Sequence, residues 1–115
     1  MNKNIFSTKS TCFELIKIAP AKNLDIYNKF TNWVIGEFDL YLMNESDDLK
    51  VYFPNGWFSI RNFYTNNNEA LFVEIKIEGK SKITNKIMLK RLLCIYDQVV
   101  SIAELKANQK FKLLS

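Results

Sequence analysis

The chain has 115 residues, of which 48% are hydrophobic and 24% charged, so it is long enough to bury one core as a single domain. It contains no histidine, the side chain most often used as a metal ligand and as a proton shuttle near neutral pH. This composition argues against most hydrolases and metal enzymes, and we expect neither catalysis nor a cofactor.

The net charge is +4 and is unevenly distributed. Residues 80–115 hold 8 basic and 2 acidic side chains, a net of +6, whereas residues 1–79 hold 8 basic and 10 acidic ones, a net of −2. Asn, Lys and Ile supply 39 of the 115 residues, and 14 Lys stand against 2 Arg. AT-rich codons encode these three residue types. We therefore expect a bacterial or phage gene from an AT-rich genome, in which lysine alone does not indicate a polyanionic partner.

Targeting signals and cysteine usage indicate the cellular compartment in which a protein works. The first ten residues lack the apolar run of a signal peptide, and no stretch approaches the roughly 20 apolar residues that span a bilayer. The sequence therefore predicts a cytoplasmic protein that does not insert into a membrane. Cys12 and Cys94 lack metal-ligand spacing, and we expect them to be reduced and buried as small hydrophobic side chains.

The first predicted element is ambiguous. Thr11 followed by Glu14 has the form of a capping box, which predicts a short N-terminal helix that ends before Pro20. Residues 13–18 also alternate in the way that a strand does. Helix and strand both remain open for this segment.

A second helix is predicted over residues 21–35, with Gly36 expected to end it. Its apolar positions recur at helical spacing. These positions are Leu24, Tyr27, Phe30 or Thr31, and Val34.

After Gly36 the hydrophobic period changes from helical to two. Alternation predicts strands over residues 37–43, 49–54, 57–64 and 71–78, joined by short polar connections. Consecutive strands with short connections form an antiparallel meander. The polar turn that contains Glu45, Asp47 and Asp48 lacks the spacing of a calcium-binding loop.

Asn55-Gly56 is a strong two-residue hairpin signal, and it predicts which strand residues face each other. Phe53 would pair with Phe58, Val51 with Ile60, and Lys50 with Arg61, where the last two charges would repel. Alternation then assigns one aliphatic face to the core. The predicted core face comprises Phe38, Leu40, Leu42, Leu49, Val51, Phe53, Phe58, Ile60, Leu71, Val73, Ile75 and Ile77.

A C-terminal helix is predicted after Ser81, and its apolar stripe would cover this core face. Ser101 followed by Glu104 is another capping box, which leaves open a break near Asp97. The predicted fold class is α+β, with an N-terminal helix or helices, a four-stranded antiparallel β-meander, and a C-terminal helix packed on one sheet face. The apolar stripe consists of Met88, Leu92, Ile95, Val99 and Ile102.

The second sheet face is predicted to be both aromatic and charged, and two interpretations compete. In the first, the N-terminal helix lies across this face and buries its rings. In the second, Tyr52, Trp57, Arg61 and Phe63 form an exposed partner-binding surface, because Trp, Tyr and Arg dominate the energetics of protein interfaces.

The basic helix face offers a different site. Lys82, Lys86 and Lys90 lie four residues apart, with Arg91 beside them. This stripe predicts a solvated helix face, a nucleic-acid-binding surface or a contact with an acidic protein.

Three enzymatic interpretations are weaker. Cys12 has no histidine base, and three isolated glycines cannot form a phosphate-binding loop. Asp39 and Glu74 beside Arg61 would need a pocket that excludes water.

The favoured hypothesis is a non-enzymatic protein-binding module that occludes a partner toxin or enzyme, as bacterial immunity proteins, antitoxins of toxin–antitoxin pairs and phage-encoded inhibitors do. The alternative is a small nucleic-acid-binding protein that uses the basic C-terminal helix face.

Overall fold

The structure is a computed structural model that describes residues 12–65, 67 and 70–114, with side chains described up to residue 108. It confirms an α+β fold with an antiparallel sheet and a C-terminal helix. Five strands have the spatial order β1-β5-β4-β3-β2, and every neighbouring pair is antiparallel. In chain order the elements are β1 (Phe13–Ala21), α1 (Leu24–Glu37), β2 (Leu42–Asn44), β3 (Leu49–Phe53), β4 (Gly56–Tyr64), β5 (Leu71–Gly79) and α2 (Lys82–Leu114).

The helix predicted from the first capping box is wrong, because Phe13–Ala21 forms strand β1. This strand pairs with β5 along its whole length, and the sheet therefore has five strands instead of four. Thr11 lies outside the described residues. Strand preference depends on neighbouring strands, and the long edge of β5 supplies the partner that a local capping pattern cannot reveal.

Helix α1 is confirmed, but it passes through Gly36 and ends at Glu37. The side chain of Asn23 caps its first turn by accepting the N–H of Ile26 at 3.1 Å. Leu24, predicted to be apolar and inward, is exposed. The buried face of the helix consists of Ile26, Tyr27, Phe30 and Val34.

The longer helix explains why the strand predicted over residues 37–43 is wrong. Phe38 lies four residues after Val34 and eight after Phe30, so it extends the apolar stripe of α1 into the core. Leu40 is 96% exposed and Leu42 is 73% exposed, which contradicts their assignment to the core face. The chain needs residues 38–41 for the turn out of the helix, and β2 is left with only three residues.

The hairpin between β3 and β4 is confirmed, but its turn residues are Pro54 and Asn55. A turn at Asn55-Gly56 would require Pro54 to donate a ladder hydrogen bond, and proline has no N–H. Asn55 instead takes a positive φ of 68°, as the second central residue of a type II turn does. The true register therefore places Val51 opposite Phe58 and shifts every predicted partner by two residues.

An even shift leaves the faces of the sheet unchanged. Val51, Phe58 and Ile60 are all fully buried, as the alternation predicted. Both helices pack against this same side, since residues of α1 and α2 join the inward residues of the sheet in one core.

Helix α2 is continuous over Lys82–Leu114, so there is no break near Asp97. Met88, Leu92, Ile95 and Val99 are buried as the predicted stripe requires, together with Tyr96, whereas Ile102 is exposed. Cys12 and Cys94 are free and exposed, which contradicts their predicted burial. Cys94 lies on the outward side of the helix, two residues after the buried Leu92.

Two side chains of α2 hold β1 in place. The buried Asn85 donates from Nδ2 to the carbonyl of Phe13 at 3.0 Å and to that of Gly79 at 3.3 Å. The hydroxyl of Tyr96 donates to the carbonyl of Pro20 at 2.7 Å. Helix and strand therefore run side by side, connected near both ends of β1.

Tyr96→Phe is expected to lower the free energy of unfolding by about 1 kcal/mol near neutral pH, because one partly buried hydrogen bond is lost. Burial, and secondly the charge of Asp97, raises the pKa of Tyr96 above its ordinary value of 10.0. Its stabilising contribution is therefore complete below that value and is lost as the pH rises through the folded pKa. As the pH is raised above about 10, the free energy of unfolding measured in urea should fall less for the variant than for the wild type.

The exposed Tyr64→Phe is the matched control and should leave the free energy of unfolding near neutral pH unchanged. Tyr96→Phe should still lose some stability at alkaline pH, because burial also raises the pKa of Tyr27. An alkaline loss as steep as that of the wild type would contradict the assignment to Tyr96.

Candidate functional site on the open sheet face

The side of the sheet opposite the two helices carries the aromatic and charged side chains, and we call it the open face. No element in the described part of the chain covers it, because α1 packs on the core side. The interpretation in which the N-terminal helix buries these rings is therefore wrong for α1. By strand register the open face comprises Glu14, Ile16, Ile18, Pro20, Leu42, Asn44, Lys50, Tyr52, Trp57, Ser59, Arg61, Phe63, Phe72, Glu74, Lys76 and Glu78.

One row of the open face is apolar on β2, β3 and β4, and it continues into Glu78 on β5. Tyr52 is the direct cross-strand partner of Trp57 on one side and of Leu42 on the other. The ammonium group of Lys50 lies 4.1 Å from the ring centroid of Trp57 and 5.3 Å from that of Tyr52. These cation–π contacts place the ammonium group of Lys50 over both rings and leave the edges of the rings exposed to solvent.

The remaining predicted binding residues, Arg61 and Phe63, lie in two further rows. Arg61 lies opposite Glu74 on β5, and its Nε donates to a carboxylate oxygen of that residue. The guanidinium carbon also lies 5.2 Å from the centroid of Phe63, whose ring stacks on Phe72 at 5.7 Å. The predicted repulsion between Lys50 and Arg61 does not occur, because Lys50 faces Ser59.

All four residues predicted to bind a partner therefore lie on one face, in adjacent strands. The carboxylate and Phe63 restrict the guanidinium of Arg61, and the cross-strand contact restricts Trp57. Contacts that restrict side chains in this way reduce the entropy that is lost when a surface binds a partner.

A shallow depression of about 520 Å³ lies between these rows and the loop before β3. Three cations and three carboxylates line it, and their formal charges balance. A balanced rim does not attract a polyanion in particular. Those charged groups are Lys50, Arg61, Lys76, Asp47, Asp48 and Glu74.

The carboxylates of the proposed enzymatic site are not brought together. Glu74 is engaged by Arg61, whereas Asp39 lies in the turn before β2. Strand β2 lies three strands from β5, which is at least about 14 Å at a strand spacing of ~4.8 Å.

The predicted basic stripe divides into two parts. Successive helix residues are rotated by about 100°, so Lys82, Lys86 and Lys90 lie within about 80° of one another while Arg91 points about 100° beyond Lys90. Arg91 contacts α1, with Nη2 3.5 Å from an oxygen of Glu37. The three lysines are exposed.

Sequence reasoning missed three exposed apolar residues of the open face. Ile16 and Ile18 lie there because residues 13–21 form a strand, and Leu42 lies there because α1 is longer than predicted. The alternation of residues 13–18 was the available signal for the first two residues.

No three Cys, Asp or Glu side chains among residues 12–65, 67 and 70–108 are grouped so as to hold a metal ion. The helices of the described part of the chain contain no stretch that is both long and apolar enough to cross a membrane. A scan against protein-family models and a search of curated proteins both find no match, so the function of this chain has to be inferred from the chemistry of its own surfaces.

Proposed function

We propose that the chain is a non-enzymatic binding protein that occludes a partner protein with its open face. The observation that carries this proposal is the uncovered cross-strand surface of Tyr52, Trp57, Arg61 and Phe63. Antiparallel sheets often expose one face to water, but such faces are typically polar. Aromatic side chains and arginine are the residue types enriched at the centres of protein interfaces.

The electrostatics of the open face support a protein partner over a nucleic acid. Arg61 and Lys76 are each paired with a carboxylate, from Glu74 and Glu14 respectively. A phosphate backbone would have to compete with both carboxylates, whereas a protein can match the alternation of charge and ring. Occlusion requires no chemical step, which agrees with a histidine-free chain.

In this proposal the protein acts in the bacterial cytoplasm as an immunity protein, an antitoxin or a phage-encoded inhibitor, and its partner is a toxin or an enzyme. Small size and an AT-rich composition, common among horizontally exchanged genes, support this class. A pull-down from the native organism would identify the partner.

Trp57→Ala is expected to weaken the complex with that partner by about 2 kcal/mol, and Arg61→Ala by more than about 1 kcal/mol. Truncation removes a central ring in the first case and a preorganised cation in the second. Affinity would be measured by titration calorimetry, with urea unfolding as a check that both variants fold.

The chain offers a matched control for each residue. Trp33 is an exposed tryptophan of α1, and Arg91 is an arginine that pairs with Glu37 on the helical side. Trp33→Ala and Arg91→Ala should leave affinity unchanged. Wild-type affinity in both Trp57→Ala and Arg61→Ala would remove the open face as the binding site.

The alternative function is nucleic-acid binding by the predicted set Lys82, Lys86, Lys90 and Arg91. One observation favours it, namely that the three lysines are exposed and form no ion pair within the described residues. Against it, Arg91 points to a different side of α2. DNA or RNA binding that weakens steeply with salt would support this alternative.

A further inference from the structure

The outer edge of β1 has no strand beside it in the described chain. Its nine residues span about 30 Å at ~3.3 Å per residue. Side chains of α2 cap the carbonyls of Phe13 and Pro20, near the two ends. The stretch between them carries Ile16 and Ile18, which are 51% and 49% exposed on the open face. Pro20 has no N–H and its carbonyl accepts from Tyr96, so the part of the edge that can pair with another chain lies before it, from Glu14 to Ile18.

A groove of about 480 Å³ runs beside this edge on the helical side, between β1 and α2. It exists because Asn85 and Tyr96 hold the helix alongside the strand. Three leucines line the groove, together with Lys86, Lys90, Cys94 and Asp97. The leucines are Leu15, Leu89 and Leu93.

The charge beside the groove is largely uncompensated. Lys17, Lys86 and Lys90 take part in no ion pair among residues 12–65, 67 and 70–108, and Asp97 is the single carboxylate that lines the groove. An apolar floor with basic groups beside it complements a segment that is aliphatic and acidic. A phosphate group could pair with the lysines, but it would make no favourable contact with the leucines.

We propose that the β1 edge binds an extended acidic segment of a partner protein as a sixth strand. Side chains of an added strand alternate between the two faces. Aliphatic side chains would pack beside Ile16 and Ile18 on the open face. Acidic side chains would lie on the helical side, with their methylene groups on Leu89 and their carboxylates near Lys86 and Lys90. This inference does not depend on the proposed occlusion by the open face.

The same residues oppose pairing with a second copy of this chain. Antiparallel pairing of two β1 edges would bring Lys17, Lys86 and Lys90 of one copy close to those of the other. Lysines that project along an edge strand are a common device against self-association. Here they exclude a basic strand and favour an acidic one.

The test uses the full chain with Cys12→Ser, so that Cys94, which lines the groove, is the remaining thiol. The probe is a capped peptide as long as β1 that alternates valine and glutamate. We expect it to bind in a fluorescence anisotropy titration and to slow the alkylation of Cys94 several-fold. A valine–lysine peptide of equal length and an N-methylated valine–glutamate peptide, which cannot pair as a strand, should do neither.

Charge reversal tests whether Lys86 and Lys90 contribute to binding of the acidic peptide. The double variant Lys86→Glu, Lys90→Glu should bind the acidic peptide about tenfold more weakly, as expected for losing two exposed ion pairs and adding two repulsions. Trp57→Ala should bind the peptide as the wild type does, which separates this site from the open-face proposal.

Three results would overturn the proposal. They are the absence of binding of the acidic peptide, equal binding of the acidic and basic peptides, and binding of the acidic peptide without protection of Cys94. Binding of a single-stranded oligonucleotide, or a dimer with Cys94 protected, would assign the edge to that occupant instead.

Discussion

Gly56→Ala is expected to destabilise the fold by about 2 to 3 kcal/mol, since an added methyl group has no room at the start of β4. A Cβ atom at this position would lie 2.6 Å from the backbone carbonyl oxygen of Glu78 and 2.7 Å from two ring carbons of Phe53. The carbonyl belongs to the neighbouring strand β5, so relief requires the strands to separate. The loss would be measured as a lower urea midpoint for unfolding.

Gly36→Ala provides the opposite control. Nothing lies within 4 Å of a Cβ at this position, and the residue is helical. Alanine there should stabilise the protein by about 0.5 kcal/mol, because glycine loses more backbone freedom in a helix. Equal and small effects of the two substitutions would contradict the close approach of β4 and β5 at Gly56.

Phe58→Ala is expected to cost about 4 kcal/mol of the free energy of unfolding. Phe58 is fully buried in the middle of the core, and its ring meets that of Phe38 edge to face at 5.2 Å. This contact joins β4 to the end of α1, so truncation leaves a cavity between sheet and helix. Whole-domain stabilities are typically about 5 to 15 kcal/mol, so the variant would be close to unfolding at room temperature.

Two further variants separate core from surface effects. Phe58→Leu retains most of the volume and should cost no more than about 1.5 kcal/mol. Phe63→Ala, on the half-buried open face, should cost about 1 kcal/mol through its lost stacking on Phe72. If Phe63→Ala proved as damaging as Phe58→Ala, the open face would be part of a second core and unsuited to binding.

The predictions for Gly56 and Phe58 matter for function because these residues stabilise the sheet that carries the proposed binding residues. Trp57 lies between them and points the other way, toward the open face. Its position therefore depends on the same strand pairing that buries its neighbours. Variants of the proposed binding residues are informative only when the free energy of unfolding is measured alongside affinity.

The residues predicted to face away from the core do so, although the strand register used to predict them was wrong. The turn lies at Pro54-Asn55 instead of Asn55-Gly56, yet Trp57 and Arg61 remain on the face opposite the core. Moving a two-residue turn by one position changes each cross-strand partner by two residues, which preserves the alternation. The identity of each partner between β3 and β4 was nevertheless wrong, so that Lys50 faces Ser59 instead of Arg61.

Other parts of the open face could not be predicted from local sequence. Residues 13–18 suit a helix or a strand, and only the unpaired edge of β5 decides between them. Leu42 reaches the open face because α1 takes Phe38 into the core and shortens the next strand. The ion pair between Arg91 and Glu37 likewise joins two helices whose contact no local pattern reveals.

The sequence by itself determined the α+β class and the two faces of strands β3, β4 and β5, because a period-two pattern of aliphatic residues can be buried on one side only. Only the tertiary structure decided that both helices share that side, that β1 joins the sheet, and that the aromatic face is left open by every described element. These outcomes depend on contacts between residues far apart in the chain, which no local spacing records.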